Sequence, residues 1–141
     1  LKTKKKLGVK YWDKKLIGNG GVVNEYIKRR DATSFTPEGK PIAPCITCKR
    51  EVSGSSLHCG HWISRKHKGV AYDEHNLAAQ CAGCNKWGNG EPQMFEDELR
   101  LLYGDKEVNR IRSWVGKPRK WTPAELEDLY HKYKEKLAEY K

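Results

Sequence analysis

The sequence has no long apolar run. Charged residues interrupt every window of its 141 residues, and its mean hydropathy is −0.89. No segment can therefore span a bilayer or form the apolar core of a signal peptide, which excludes a membrane partner and makes a soluble, cytoplasmic protein the expectation. Internal repeats are lacking as well, and the length suits one domain while leaving no room for a second large catalytic lobe. Acidic residues are in short supply: 18 Asp and Glu stand against 28 Lys and Arg, for a formal net charge of +10 and a pI near 9.4. An excess of that size points to a polyanionic partner. The chain is 37% hydrophobic and 10% aromatic, enough to build a core, so disorder is excluded on composition. It opens on Leu1 rather than Met, as a trimmed piece of a longer protein would.

The positive surplus is uneven. Residues 1–30 hold ten basic and two acidic side chains, residues 31–90 seven and five, and residues 91–141 eleven of each. Lys2, Lys4, Lys5, Lys6, Lys10, Lys14 and Lys15 read as a basic arm suited to phosphates, each contact releasing condensed counterions. A solvated tail or a localisation signal is the competing reading for the first six residues. Removing residues 1–15 is expected to flatten the salt dependence of binding and spare the chemistry. Val22, Val23, Tyr26 and Ile27 recur at helical spacing and predict a short helix over 22–30, while Pro37, Gly39, Pro41 and Pro44 mark 33–44 as loop. Strand-type patches are expected over 56–63. Phe95, Leu99, Leu102 and Tyr103 predict an amphipathic helix between Pro92 and Gly104, and Val108, Ile111 and Val115 a second short one. Thr122, Pro123 and Glu125 spell a capping box for the last helix, whose inward stripe is Leu126, Leu129, Tyr130, Tyr133, Leu137 and Tyr140.

Four of the five cysteines fall as Cys45-x2-Cys48 and Cys81-x2-Cys84. Each such turn aims two thiolates at one point, the arrangement tetrahedral Zn²⁺ takes. Two disulfides are the alternative; a reducing compartment and the lack of a secretory signal argue against them. Cys59 is left as a free thiol, most simply a small strand residue. The 32 residues between the two pairs exceed what a zinc ribbon needs. They hold Cys59-Gly60-His61, Ser64-Arg65 and Tyr72-Asp73-Glu74-His75-Asn76, and Asn85 follows the second pair at once.

These residues, with Gln80-Cys81-Ala82-Gly83-Cys84-Asn85 and Gly88-Asn89-Gly90, are similar to the HNH, or ββα-metal, nuclease motif. In particular they resemble the lambdoid phage NinG, or Rap, recombination nuclease family. The resemblance reaches upstream to Tyr11-Trp12 and to the stretch from Val23 to Asp31, and downstream to Trp121-Thr122, so it covers most of the chain. It implies an α+β fold: a zinc-stapled ββα-metal core over 37–104, a basic arm and helix before it over 1–36, and a helical extension packed on the core over 105–141. It also implies a metal-dependent DNA endonuclease, phage- or prophage-encoded and working in the bacterial cytoplasm, that cuts branched recombination intermediates such as Holliday junctions and D-loops. DNA is then the partner, and a homodimer is attractive because resolving a junction takes two cuts. Structural Zn²⁺ would be held by Cys45, Cys48, Cys81 and Cys84, alongside a catalytic Mg²⁺ or Mn²⁺.

Carried over residue by residue, the resemblance makes His61 the general base, a task its neutral imidazole suits. Asn76 bridges backbone across the loop and so steadies His61. Asn85 is an oxygen ligand of the catalytic ion; read alone it serves equally as a helix cap. Related resolvases carry an Asp immediately before the base where this chain has Gly60, and the family's own Asp, three residues before it, is here His58. His58 can bind a softer ion such as Mn²⁺ through nitrogen if the strand is bulged, whereas a regular strand sends His58 and His61 to opposite faces. Arg65 would hold the scissile phosphate, with Lys66, Lys68 and Lys86 along the approach. Trp12, Trp62, Trp87 and Trp114 could stack on unpaired bases, though Trp is more often core. Two other readings stay open: an HNH nicking or restriction-type enzyme with sequence preference, and a non-catalytic zinc module that binds DNA, which the lack of an Asp at Gly60 would permit.

Overall fold

Between Gly8 and Gly18 no residue breaks a helix, and α1 (Val9–Ile17) forms there, burying Trp12, Leu16 and Ile17. The structure, a computed structural model, describes residues 7–140. Lys2, Lys4, Lys5 and Lys6 lie outside the described residues, while Lys10, Lys14 and Lys15 belong to α1 rather than to an arm. α2 (Val22–Asp31) follows a sharp corner and buries Val22, Val23 and Ile27. Asn24 Nδ2 pins that corner by donating to the Ile17 and Gly18 carbonyls. A Cβ on Gly21 would lie 2.4 Å from the Leu16 carbonyl oxygen, so glycine alone permits the approach.

Residues 33–44, expected as loop, contain two strands. β1 (Ser34–Phe35) pairs antiparallel with β2 (Pro41–Pro44), which pairs in turn with β3 (Glu51–Ser53). Pro41 and Pro44 stand at the ends of β2, where a missing N–H costs the ladder least. A second ladder joins β4 (Leu57–His61) to β5 (Leu77–Cys81), antiparallel and unbroken from Leu57 opposite Cys81 to His61 opposite Leu77. All five residues of β5 are buried, because helices cover both faces of this hairpin.

Five residues, Gly83–Trp87, form a π-type turn where the ββα layout calls for a helix, and α3 (Pro92–Tyr103) begins only after the glycine-rich bend at 88–90. α3 and α4 (Asp105–Arg112) pack Phe95, Leu99, Val108 and Ile111 against Ile46, Trp62, Val70 and Ala78 on one side of the hairpin. Val115 lies beyond α4 and is exposed, as is Leu102. On the other side α5 (Pro123–Ala138) joins α1 and α2, with Leu126 and Tyr133 set among Leu16, Ile27 and Leu77. Its capping box forms as the sequence predicts: Thr122 Oγ1 accepts from the Glu125 amide, and Glu125 accepts from the Thr122 amide. The fold is α+β, with the hairpin held between two helical layers.

Candidate active site and metal centre

The first cysteine pair sits in the turn joining β2 to β3, the second at the end of β5. The ligand atoms of Cys45, Cys48, Cys81 and Cys84 all lie within 4.8 Å of one another. In both turns the amide three residues on points at the leading sulfur, Cys48 N–H at Cys45 Sγ (3.5 Å) and Cys84 N–H at Cys81 Sγ (3.3 Å). Burial disfavours the Cys45 thiolate, but the Thr47 hydroxyl and neighbouring amides outweigh it and bring that thiol down to about 6. Four convergent sulfurs with amide support fit tetrahedral Zn²⁺. Such an ion would staple the three-stranded sheet to the hairpin. Cys59 lies apart, half-buried, with its thiol pushed up to about 12 by desolvation, so it is no nucleophile.

His61 ends β4. Its Nε2 lies 2.9 Å from the Ala71 carbonyl oxygen. A carbonyl only accepts, so Nε2 carries the proton and Nδ1 of the neutral ring holds a lone pair. Burial, reinforced by Arg65 and Lys68 against the pull of Ala71 and Asp13, lowers the ring's pKa to about 4. His61 is thus a neutral acceptor at pH 7.

The loop that presents Ala71 is closed by Asn76, which is fully buried. Its Nδ2 donates to the Ile63 and Val70 carbonyls and its Oδ1 accepts from the Ile63 amide, so one side chain ties both ends of the loop.

On the opposite face of the hairpin His58 Nδ1 lies 3.0 Å from the Asn85 side-chain amide. β4 has no bulge, so His58 and His61 do point to opposite faces. The π-type turn brings Asn85 to His58 instead. Gln80, the register partner of His58, shares this face and is fully buried. Its Nε2 donates to Thr47 Oγ1 and to the Gly90 carbonyl, while its Oε1 has no hydrogen-bond partner among the described residues. That oxygen explains Gly60, where a Cβ would come within 2.3 Å of it. His58 Nδ1 and Asn85 Nδ2 thus face each other, while Gln80 Oε1 is turned toward Gly60. Gln80 is the residue that motif reading missed; its signal is a lone polar side chain in the run Leu-Ala-Ala-Gln-Cys.

Arg65 Nη2 donates to the Ile17 carbonyl at 2.9 Å, capping the C-terminal end of α1, which leaves other guanidinium donors for an anion. Trp12 and Trp62 are core residues, which removes both as stacking platforms, while Trp114 is half-buried against Gly69. Trp87, two residues past Asn85, is 87% exposed.

No helix among the described residues is long and apolar enough to cross a membrane. A search of the curated proteins gave no match, and neither did a search of the solved structures. A scan of protein families matched one from the first residue to the last, 1–141, and the chain belongs to that family, described as Bacteriophage Lambda NinG protein.

Proposed function

We propose that this protein is a metal-dependent DNA endonuclease of the HNH type, cutting branched recombination intermediates in the cytoplasm of a bacterial host. Membership in the NinG family supports a phage recombination-related role. The single observation that carries the chemistry is His61: the Ala71 carbonyl holds its Nε2–H and burial keeps the ring neutral, so Nδ1 is a fixed proton acceptor. In this reading Nδ1 takes a proton from water as the water oxygen bonds to phosphorus. The bond from phosphorus to the 3′ oxygen breaks, the electron pair leaves with that oxygen, and solvent protonates it, giving 5′-phosphate and 3′-hydroxyl ends.

Asn76 acts on His61 through the loop it closes, and Arg65 steadies the phosphate oxygens. His58 and Asn85 would hold a divalent ion, Mg²⁺ or more readily Mn²⁺, only on the hairpin face opposite His61, so this pair does not serve the phosphate that His61 faces. A divalent ion at that phosphate would supply Lewis-acid stabilisation of developing negative charge. Trp87 is the exposed indole suited to an unpaired base at a branch point. Two cuts across a junction would be made by a homodimer.

The test is cleavage of a four-way junction, a D-loop and a matching linear duplex by the zinc-loaded protein with Mg²⁺ or Mn²⁺. Junction and D-loop should be cut in preference to duplex, and His61→Ala should lose turnover while keeping its zinc. Equal cutting of linear duplex would favour the sequence-preferring nickase. No cutting with either ion would leave a zinc-containing DNA-binding module.

A further inference from the structure

Two loops distant in sequence meet across an open cleft of about 470 Å³, residues 66–68 on one wall and 116–120 on the other. Three contacts build it. The Gly116 amide donates to His67 Nδ1 at 3.2 Å, and Trp121 Nε1 donates to the Lys68 carbonyl at 2.8 Å. Trp114 lies so close to Gly69 that a Cβ there would fall 2.3 Å from its ring. The walls present Lys66, His67, Lys68, Lys117, Arg119 and Lys120, and no acidic residue lines the cleft. With Nδ1 accepting, the neutral His67 ring carries its proton on Nε2, one donor more.

Carboxylates from outside offset two of these cations: Asp13 pairs with Lys68 at 3.2 Å and Glu125 with Arg119 at 2.9 Å. Lys66, Lys117 and Lys120 form no salt bridge among the described residues, and all three are exposed. Arg119 is held in place by the Trp121 ring, its guanidinium carbon 3.8 Å from the ring centroid. Like charges gathered on facing walls repel unless an anion lies between them. An open cleft admits a chain of phosphates where an enclosed pocket would take a single small anion. One wall also connects toward His61: Lys68 shares Asp13 with Tyr72, which follows Ala71, whose carbonyl accepts from the His61 ring.

We propose that this cleft grips the sugar-phosphate backbone of a duplex DNA arm leading away from His61, with Lys66, Lys117 and Lys120 on phosphates. The inference rests on the reading of DNA as substrate but not on cleavage. Its test uses the full-length, zinc-loaded protein carrying His61→Ala, without added Mg²⁺ or Mn²⁺, and follows the anisotropy of a labelled linear duplex from about 50 to 200 mM KCl. Adding Lys117→Ala with Lys120→Ala should weaken binding roughly tenfold and flatten the slope of log K against log salt by about 1.8, two phosphate contacts at about 0.9 each. The control removes the same charge elsewhere, with Lys40→Ala and Lys106→Ala, both exposed and outside the cleft; its slope should match the parent's. An unchanged slope in the cleft variant, or an equal loss in the control, would overturn the proposal. Since no turnover is read, the measurement tests the cleft even in a protein that never cuts DNA.

Discussion

At His61 one hydrogen bond and one environment decide the protonation state, and both have a consequence in pH. Desolvation lowers the ring to about 4, with Arg65 and Lys68 adding to it. A base stays competent as pH falls until its own pKa is reached, so single-turnover cleavage should hold its rate down to about pH 5. A half-maximal rate at the ordinary histidine value of about 6.5 would show that the buried ring is not the base. The same shift touches stability with a defined sign. The unfolded chain takes up the proton first, so the contribution of the neutral ring is complete above about 6.5 and is lost as pH falls from there toward 4. His61, Asn76 and the cysteines were legible in the sequence because each belongs to a spaced motif. The pairing of Gly60 with Gln80 was not: it spans two strands, and it shows only when the missing Cβ is set against the Gln80 oxygen that takes its space. His58 stands where the sequence resemblance implies an Asp, and so reads on the sequence as a departure. In the fold it meets Asn85 without any bulge.

Elements with local signals were the readable ones. α5 starts where its capping box says, and α3 runs from Pro92 to Tyr103 and stops at Gly104, since caps act within one turn and need no tertiary partner. β1 and β2 escaped because their prolines and glycine mimic a loop, and only pairing in three dimensions makes them a sheet. The π-type turn escaped too, its shape following from the bend between the second cysteine pair and Gly90. The two sheets share a small apolar cluster, chiefly Ala43, Val52, Leu57 and Ala79, around Cys45 and Cys81, with Cys84 against it. Besides that cluster, the Ile46 amide donates to the Ala79 carbonyl and Gln80 reaches Thr47, and an ion on the four sulfurs would add the strongest tie. Structural zinc contributes about 10–16 kcal/mol in small zinc-finger peptides, as much as the whole stability of an ordinary domain. Cys48→Ser should therefore lose the ion and the cooperative melt together, as read by zinc content and thermal denaturation. A cooperative transition near the wild-type temperature without zinc would mean that the sulfurs hold no structural ion.

For the molecule as a whole the net charge of +10 is the first clue, and counting it along the chain misplaces part of it. The last fifty-one residues balance, yet residues 108–124 hold five basic side chains and no acidic one, and folding sets Lys117, Arg119 and Lys120 across from Lys66 and Lys68. Residues 7–15 are not a detachable arm either. They include Trp12, buried against α5, and Asp13, which accepts from Tyr72 and Lys68. Emptying a buried Trp site costs about 3–5 kcal/mol, a large share of the stability of a domain this size. The rest of α1 cannot persist as a helix once its first seven residues are gone, because an isolated turn does not sustain itself. Deleting residues 1–15 should accordingly unfold the protein or depress its melting temperature by ten degrees or more, roughly what a loss of 3–5 kcal/mol produces in a domain of this length. Binding by that variant would then report damage to the fold rather than lost phosphate contacts. Deleting residues 1–6 removes Lys2, Lys4, Lys5 and Lys6 while leaving Val9–Ile17 intact, and isolates what those four charges add to the salt slope. A wild-type melting temperature after removal of all fifteen would mean that α1 adds nothing to the core.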